Sequence, residues 1–96
     1  MFRFSIDEQT AERASDKQLA SNNITLDEDW EQGLKDTGDA IPGERCYRAE
    51  TKSPRSVEDA ISFVRGHFVT TPHRVWLGDE LYEIEGSDGS DDDRTP

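Results

Sequence analysis

Ninety-six residues with twenty-two acids against eleven lysines and arginines carry a formal net charge of -11, and only 31% of them are hydrophobic. A chain this short builds one core, has no apolar run of the roughly 20 residues a membrane helix needs, and with Cys46 as its lone cysteine forms no internal disulfide. Its field repels nucleic acid and membrane at long range and attracts basic surfaces.

Phe2-Arg3-Phe4-Ser5-Ile6 sets Phe2, Phe4 and Ile6 on one side, the period of a half-buried strand. Asp7 or Ser5 then caps a polar helix predicted over 8–20, whose apolar content is little more than Ala11, Ala14 and Leu19; Ser21-Asn22-Asn23 breaks it. Thr25-Leu26-Asp27-Glu28 has capping-box spacing and predicts a second helix reaching Thr37. Leu26, Trp30 and Leu34 form its narrow buried stripe, and Asp27, Glu28 and Asp29 occupy the first turn, where the helix dipole favours anions. Thr37-Gly38-Asp39 and Pro42-Gly43 make the loop that follows.

Residues 44–51 read as a strand with Tyr47 and Ala49 inward and Arg48 and Glu50 outward. Ser56-Val57-Glu58-Asp59 opens the core helix, along which Val57, Ala60, Ile61, Val64 and Phe68 recur at helical spacing. The last ordered unit is a hairpin over 73–85. A two-residue Gly78-Asp79 loop, glycine first as a type II′ turn prefers, sets Leu77 opposite Glu80, Trp76 opposite Leu81, Val75 opposite Tyr82, Arg74 opposite Glu83 and His73 opposite Ile84. A three-residue loop would oppose Val75 to Glu83, mixing core with charge. Residues 86–96 hold no apolar side chain and read as a disordered acidic tail after a single domain over 1–85. The expected fold is α+β: a small mixed or antiparallel sheet of about four strands, one well-defined core helix and one or two N-terminal helices. In it, the 44–51 and 73–77 strands are joined by a crossover that sets them parallel.

No phosphate-binding glycine loop, metal-binding HExxH or nucleophile elbow occurs. Cys46, His67 and His73 read as a small buried thiol and two surface histidines rather than a catalytic or metal set. The expectation is a non-enzymatic protein with no cofactor and no metal. With no apolar stretch of secretory length at Met1-Phe2-Arg3-Phe4-Ser5, the expected compartment is the cytoplasm.

Charge is uneven along the chain: ten acids and four bases over 1–43, four and six over 44–74, eight and one over 75–96. Three readings follow. In the first, Asp27, Glu28, Asp29, Glu31, Asp36 and Asp39 form an acidic face for a basic protein surface, such as that of a nucleic-acid-binding protein, which the chain would inhibit as a decoy. Trp76 and Leu81, on the outer side of the hairpin, add an apolar patch for that partner or for a second copy of the chain, unless an N-terminal helix covers them. In the second, the acidity is adaptation to a salt-rich cytoplasm, consistent with only three lysines among the eleven bases. In the third, Arg45, Lys52, Arg55 and Arg74 with Tyr47 bind single-stranded nucleic acid; pairing of these arginines with nearby acids is the favoured alternative, and direct nucleic-acid or membrane binding is not expected.

Overall fold

The computed structural model describes residues 1–84; the predicted tail lies outside them. In chain order the elements are β1 (Phe2–Asp7), α1 (Glu8–Arg13), α2 (Asp16–Ser21), β2 (Ile24–Leu26), α3 (Glu28–Thr37), β3 (Glu44–Ala49), α4 (Val57–Phe68), β4 (Arg74–Leu77) and β5 (Glu80–Glu83). The strands form a five-stranded sheet in the order β2-β3-β1-β4-β5, each antiparallel to its neighbours. Both β3 and β4 oppose β1, so they run in the same direction, as the crossover reading expects, but with β1 inserted between them.

The main core lies on one face of this sheet. Phe2, Phe4 and Ile6 of β1 are buried there with Tyr47 and Ala49 of β3 and Val75 of β4, residues the strand register places side by side. α4 covers them with Ala60, Val64 and Phe68. The Ser56 hydroxyl caps α4 by accepting from Asp59 N–H (3.2 Å). The helix leaves through Val69, which sits in the left-handed region at φ 55° with its side chain 92% exposed. The hairpin takes the predicted register at every pair from 74/83 to 77/80, and Gly78 supplies the positive φ, 62°, that the first loop position demands.

Two predicted elements come out differently. The single helix over 8–20 is two helices, because Ser15 accepts from Gln18 N–H (3.3 Å) and starts α2 afresh. After the restart Leu19 lies in the core with Ile24, and Ala11 and Ala14 pack against the same core. The stripe Leu26-Trp30-Leu34 also dissolves. Ile24–Leu26 is a short edge strand paired with Tyr47–Ala49, which buries Ile24. The cap of α3 is therefore Asp27 and not Thr25, its carboxylate accepting from Trp30 N–H (3.1 Å). Leu26 packs on the main core, whereas Trp30 turns to the opposite face of the sheet.

Candidate protein-interaction surface

The second face of the sheet explains where the charges go. Register sets Arg3 and Ser5 of β1 beside Cys46 and Arg48 of β3 and Arg74 and Trp76 of β4. α3 lies across this largely polar layer, and its inward residues are chosen to meet it. Asp27, only 4% exposed, accepts from Arg3 Nε at 2.7 Å and has Arg48 Nη1 at 3.6 Å. Glu31 binds Arg45 through both carboxylate oxygens, at 2.9 and 3.3 Å, and accepts the Cys46 N–H (2.8 Å). That N–H sits just beyond the end of the β2 pairing, so the side chain replaces a missing strand. The hydrogen bond from Arg45 to Glu31 holds Arg45 more firmly in its charged form.

Between these ion pairs lies an aromatic contact. Trp30 meets Trp76 edge-on, with ring centroids 5.7 Å apart at 77°, and the Arg3 guanidinium lies over Trp30 at 4.2 Å. Trp76 is 6% exposed. Of the two readings open for it, cover by an N-terminal helix is the one observed. Leu81, its cross-strand neighbour, stays 44% exposed.

At the other end of the layer Arg74, 5% exposed, donates to Glu44 (3.0 Å) and to the Asp39 carbonyl (3.1 Å). The His73 ring lies 2.8 Å from the other Glu44 oxygen. His73 is thus half-buried against Glu44 beside Arg74 and not the surface histidine expected, while His67 is exposed against the Phe63 ring. The Cys46 thiol, buried and facing carboxylates, is pushed up to about 12, which removes the thiolate that a nucleophile or metal ligand needs at neutral pH. Among the described residues no group of three or more His, Cys, Asp or Glu side chains is placed to hold a metal ion, and no helix is long and apolar enough to cross a membrane.

The expected acidic face therefore divides. Asp27 and Glu31 point inward and are spent on Arg3, Arg48 and Arg45. Glu28, Asp29 and Asp36 are exposed, and at 100° per residue they share the outward side of α3 with Gln32 and Lys35. Among the described residues none of the three carboxylates has an ion-pair partner. Asp39 is exposed just past the helix and accepts from the Thr37 hydroxyl (3.0 Å).

The basic middle of the chain is drawn inward only in part, since Arg55 is exposed. Arg45 and Arg74 are paired as above, Lys52 lies 3.8 Å from Asp59, and Tyr47, 5% exposed, is stacked on Phe4 inside the core. The aromatic that single-strand binding would need on the surface is thus absent from it. A cleft of about 600 Å³ opens between the end of α3 and the 40–44 loop. Of the charges that line it, Glu31 pairs with Arg45 and Glu44 with Arg74, while Glu8 and Lys35 line it with no salt bridge among the described residues.

Sequence reasoning missed Arg3 and Glu44, which anchor the two ends of this layer. An arginine alternating with phenylalanines in a strand looks like a solvent-facing residue, and only the arrival of α3 makes it otherwise. Compared with known protein families, curated proteins and solved structures, the chain matches none.

Proposed function

We propose that the protein is a non-enzymatic interaction module that presents the outer side of α3, through Glu28, Asp29 and Asp36, to a basic protein surface. The nucleic-acid-binding site of another protein is the natural owner of such a surface, and occupying it would make this chain an inhibitor or decoy. The observation that carries the reading is the segregation of charge. Arg3, Arg45, Arg48 and Arg74 pair with Asp27, Glu31 and Glu44, whereas among the described residues Glu28, Asp29 and Asp36 on the outer side of α3 have no ion-pair partner. This helix face is therefore negative, while Arg13, Arg55 and Arg65 are exposed elsewhere. Glu28 to Asp36 spans ~12 Å of helix axis, with Glu28 and Asp29 adjacent at one end and Asp36 about two turns away.

The test is capture of basic partners from lysate and their displacement by DNA, comparing the parent with Glu28→Gln/Asp29→Asn/Asp36→Asn. None of these three changes touches an internal ion pair, so the fold should survive while capture is lost. Equal capture by the variant, or capture that DNA does not displace, refutes the reading.

A second reading is favoured by a separate observation: exposed acids are not confined to α3. Glu8 and Glu12 of α1, Glu58 of α4, and Asp79 and Glu80 of the hairpin are exposed too. An acidity spread over several faces is what adaptation to concentrated salt would produce, where the screening length falls to ~3 Å near 1 M. Melting in increasing KCl separates the two. Salt adaptation requires a large rise in midpoint up to molar concentrations, and a flat midpoint above about 0.2 M rejects it.

A further inference from the structure

Among the described residues the sheet has an open edge at β5, and the hairpin register says which groups it presents. Ile84 N–H donates to the His73 carbonyl (2.9 Å), so 73/84 is a hydrogen-bonded pair. By antiparallel alternation 75/82 and 77/80 are hydrogen-bonded too, while 74/83 and 76/81 are not. The N–H and C=O groups of Leu81 and Glu83 therefore turn away from β4 toward the open side, and among the described residues they take no part in the turn, loop or cap hydrogen bonds. Leu81 is the large apolar side chain standing exposed on this strand. It is flanked by Asp79, Glu80 and Glu83, all exposed, and among the described residues none of these three is in a salt bridge.

An unpaired strand edge recruits a further strand unless something forbids it. A second copy of this chain is forbidden by charge, since pairing β5 with β5 brings Glu80 and Glu83 of the two copies together on molecules of -11 each. We infer that β5 is a strand-addition site for an extended basic segment of a partner, running antiparallel, with a lysine or arginine opposite Glu83, an aliphatic residue opposite Leu81 and a second basic residue opposite Glu80. The order along the incoming chain is basic, any, aliphatic, basic. The inference shares with the reading above the idea of a basic partner, but places it at the sheet edge and not on α3.

The test titrates isotopically labelled full-length protein with a synthetic acetylated peptide centred on Arg-Thr-Val-Lys. Saturable amide shifts should concentrate on 79–84 and on β4. Leu81→Pro removes an outward N–H without removing a ladder bond, a change an edge strand tolerates, and should weaken binding about tenfold, the equivalent of a lost hydrogen bond at the upper end of its range. Because that variant can disturb the hairpin, the peptide is also N-methylated in two ways. Methylation at the residues opposite Leu81 and Glu83 should abolish binding; methylation at the residue between them should leave it intact. Equal binding by both methylated peptides, shifts centred on α3, or no saturable shift overturns the strand-addition site. Shifts on α3 alone would do so while leaving the α3 reading standing.

Discussion

Asp27 is where the polar layer is most exposed to a decisive change. Its carboxylate serves two purposes: it caps α3 through Trp30 N–H and neutralises Arg3 and Arg48 from a 4% exposed position. Asp27→Asn separates them, since asparagine caps as well as aspartate but leaves the Arg3 guanidinium without its anion, while Arg48 keeps its closer partner Glu50 at 2.6 Å. Breaking a fully buried pair costs about 3–5 kcal/mol. The Arg3 side chain keeps 23% of its surface in water and stays over Trp30, so the cost falls toward that of one charge-assisted hydrogen bond, about 2 kcal/mol. Asp27→Ala adds about 1 kcal/mol for the lost cap. In a domain of this size each kcal/mol moves the melting midpoint by about 4–8 °C, so the asparagine variant should melt roughly 10 °C below the parent. Denaturant titration of the parent, Asp27→Asn, Asp27→Ala and the surface control Glu28→Gln measures it, and repeating Asp27→Asn in an Arg3→Leu background isolates the coupling. If Asp27→Asn falls within about 0.5 kcal/mol of Glu28→Gln, the range of ordinary surface changes, the ion pair contributes nothing and the account of the layer is wrong.

Val69→Gly should stabilise the fold by about 1 kcal/mol, because a β-branched residue at positive φ is strained and its exposed side chain has little packing to lose; an unchanged denaturation midpoint would show the strain to be absent. Trp76→Ala should cost about 3–5 kcal/mol by emptying the space under Trp30, read as a shift of the same midpoint; a stable variant would place Trp76 outside the layer. Cys46 should confer an alkaline slope. Its pKa is raised from 9.0 to about 12 on folding, so its contribution is complete below pH ~9 and is lost as pH climbs toward 12, because the unfolded thiol sheds its proton first. Comparing the parent with Cys46→Ala across pH 8–11 should show the slope flatten in the variant.

What sequence could and could not reveal follows from how local each decision is. The 73–84 register was legible because a two-residue glycine turn and the alternation of Val75 and Leu77 admit one pairing that keeps charge out of the core. α4 was legible for a similar reason, since Ala60, Val64 and Phe68 repeat with their cap in place. The Thr25–Asp27 region was not. Both residues are good caps two positions apart, and the choice falls to Asp27 only because Ile24 gains burial by pairing with Ala49 and because Arg3 waits beneath the carboxylate. A three-residue strand offers no period of its own to detect. The acidic face was half legible for the same cause: periodicity divides the helix into two sides, but it does not say that the side facing the sheet will meet arginines, and so it leaves Asp27 and Glu31 apparently free.

That division bears on what the net charge means. The inward acids serve the fold, because Asp27 and Glu31 neutralise arginines of the sheet that α3 packs against. Only the outward acids are available to a partner or to bulk salt, and these two uses make opposite demands. A binding surface needs carboxylates held in fixed relative positions, which the two turns from Glu28 to Asp36 provide, since a helix anchored by Trp30 and Glu31 cannot rotate to blur them. Solvent adaptation needs only density, and is indifferent to which exposed acids are neutralised. Neutralising three acids on α3 and, separately, three on other faces, such as Glu8, Glu12 and Glu58, removes the same charge from different places. Equal effects of the two triples on salt-dependent stability, with no effect on capture, identify the charge as solvent adaptation; loss of capture from the α3 triple alone identifies the helix as a recognition element.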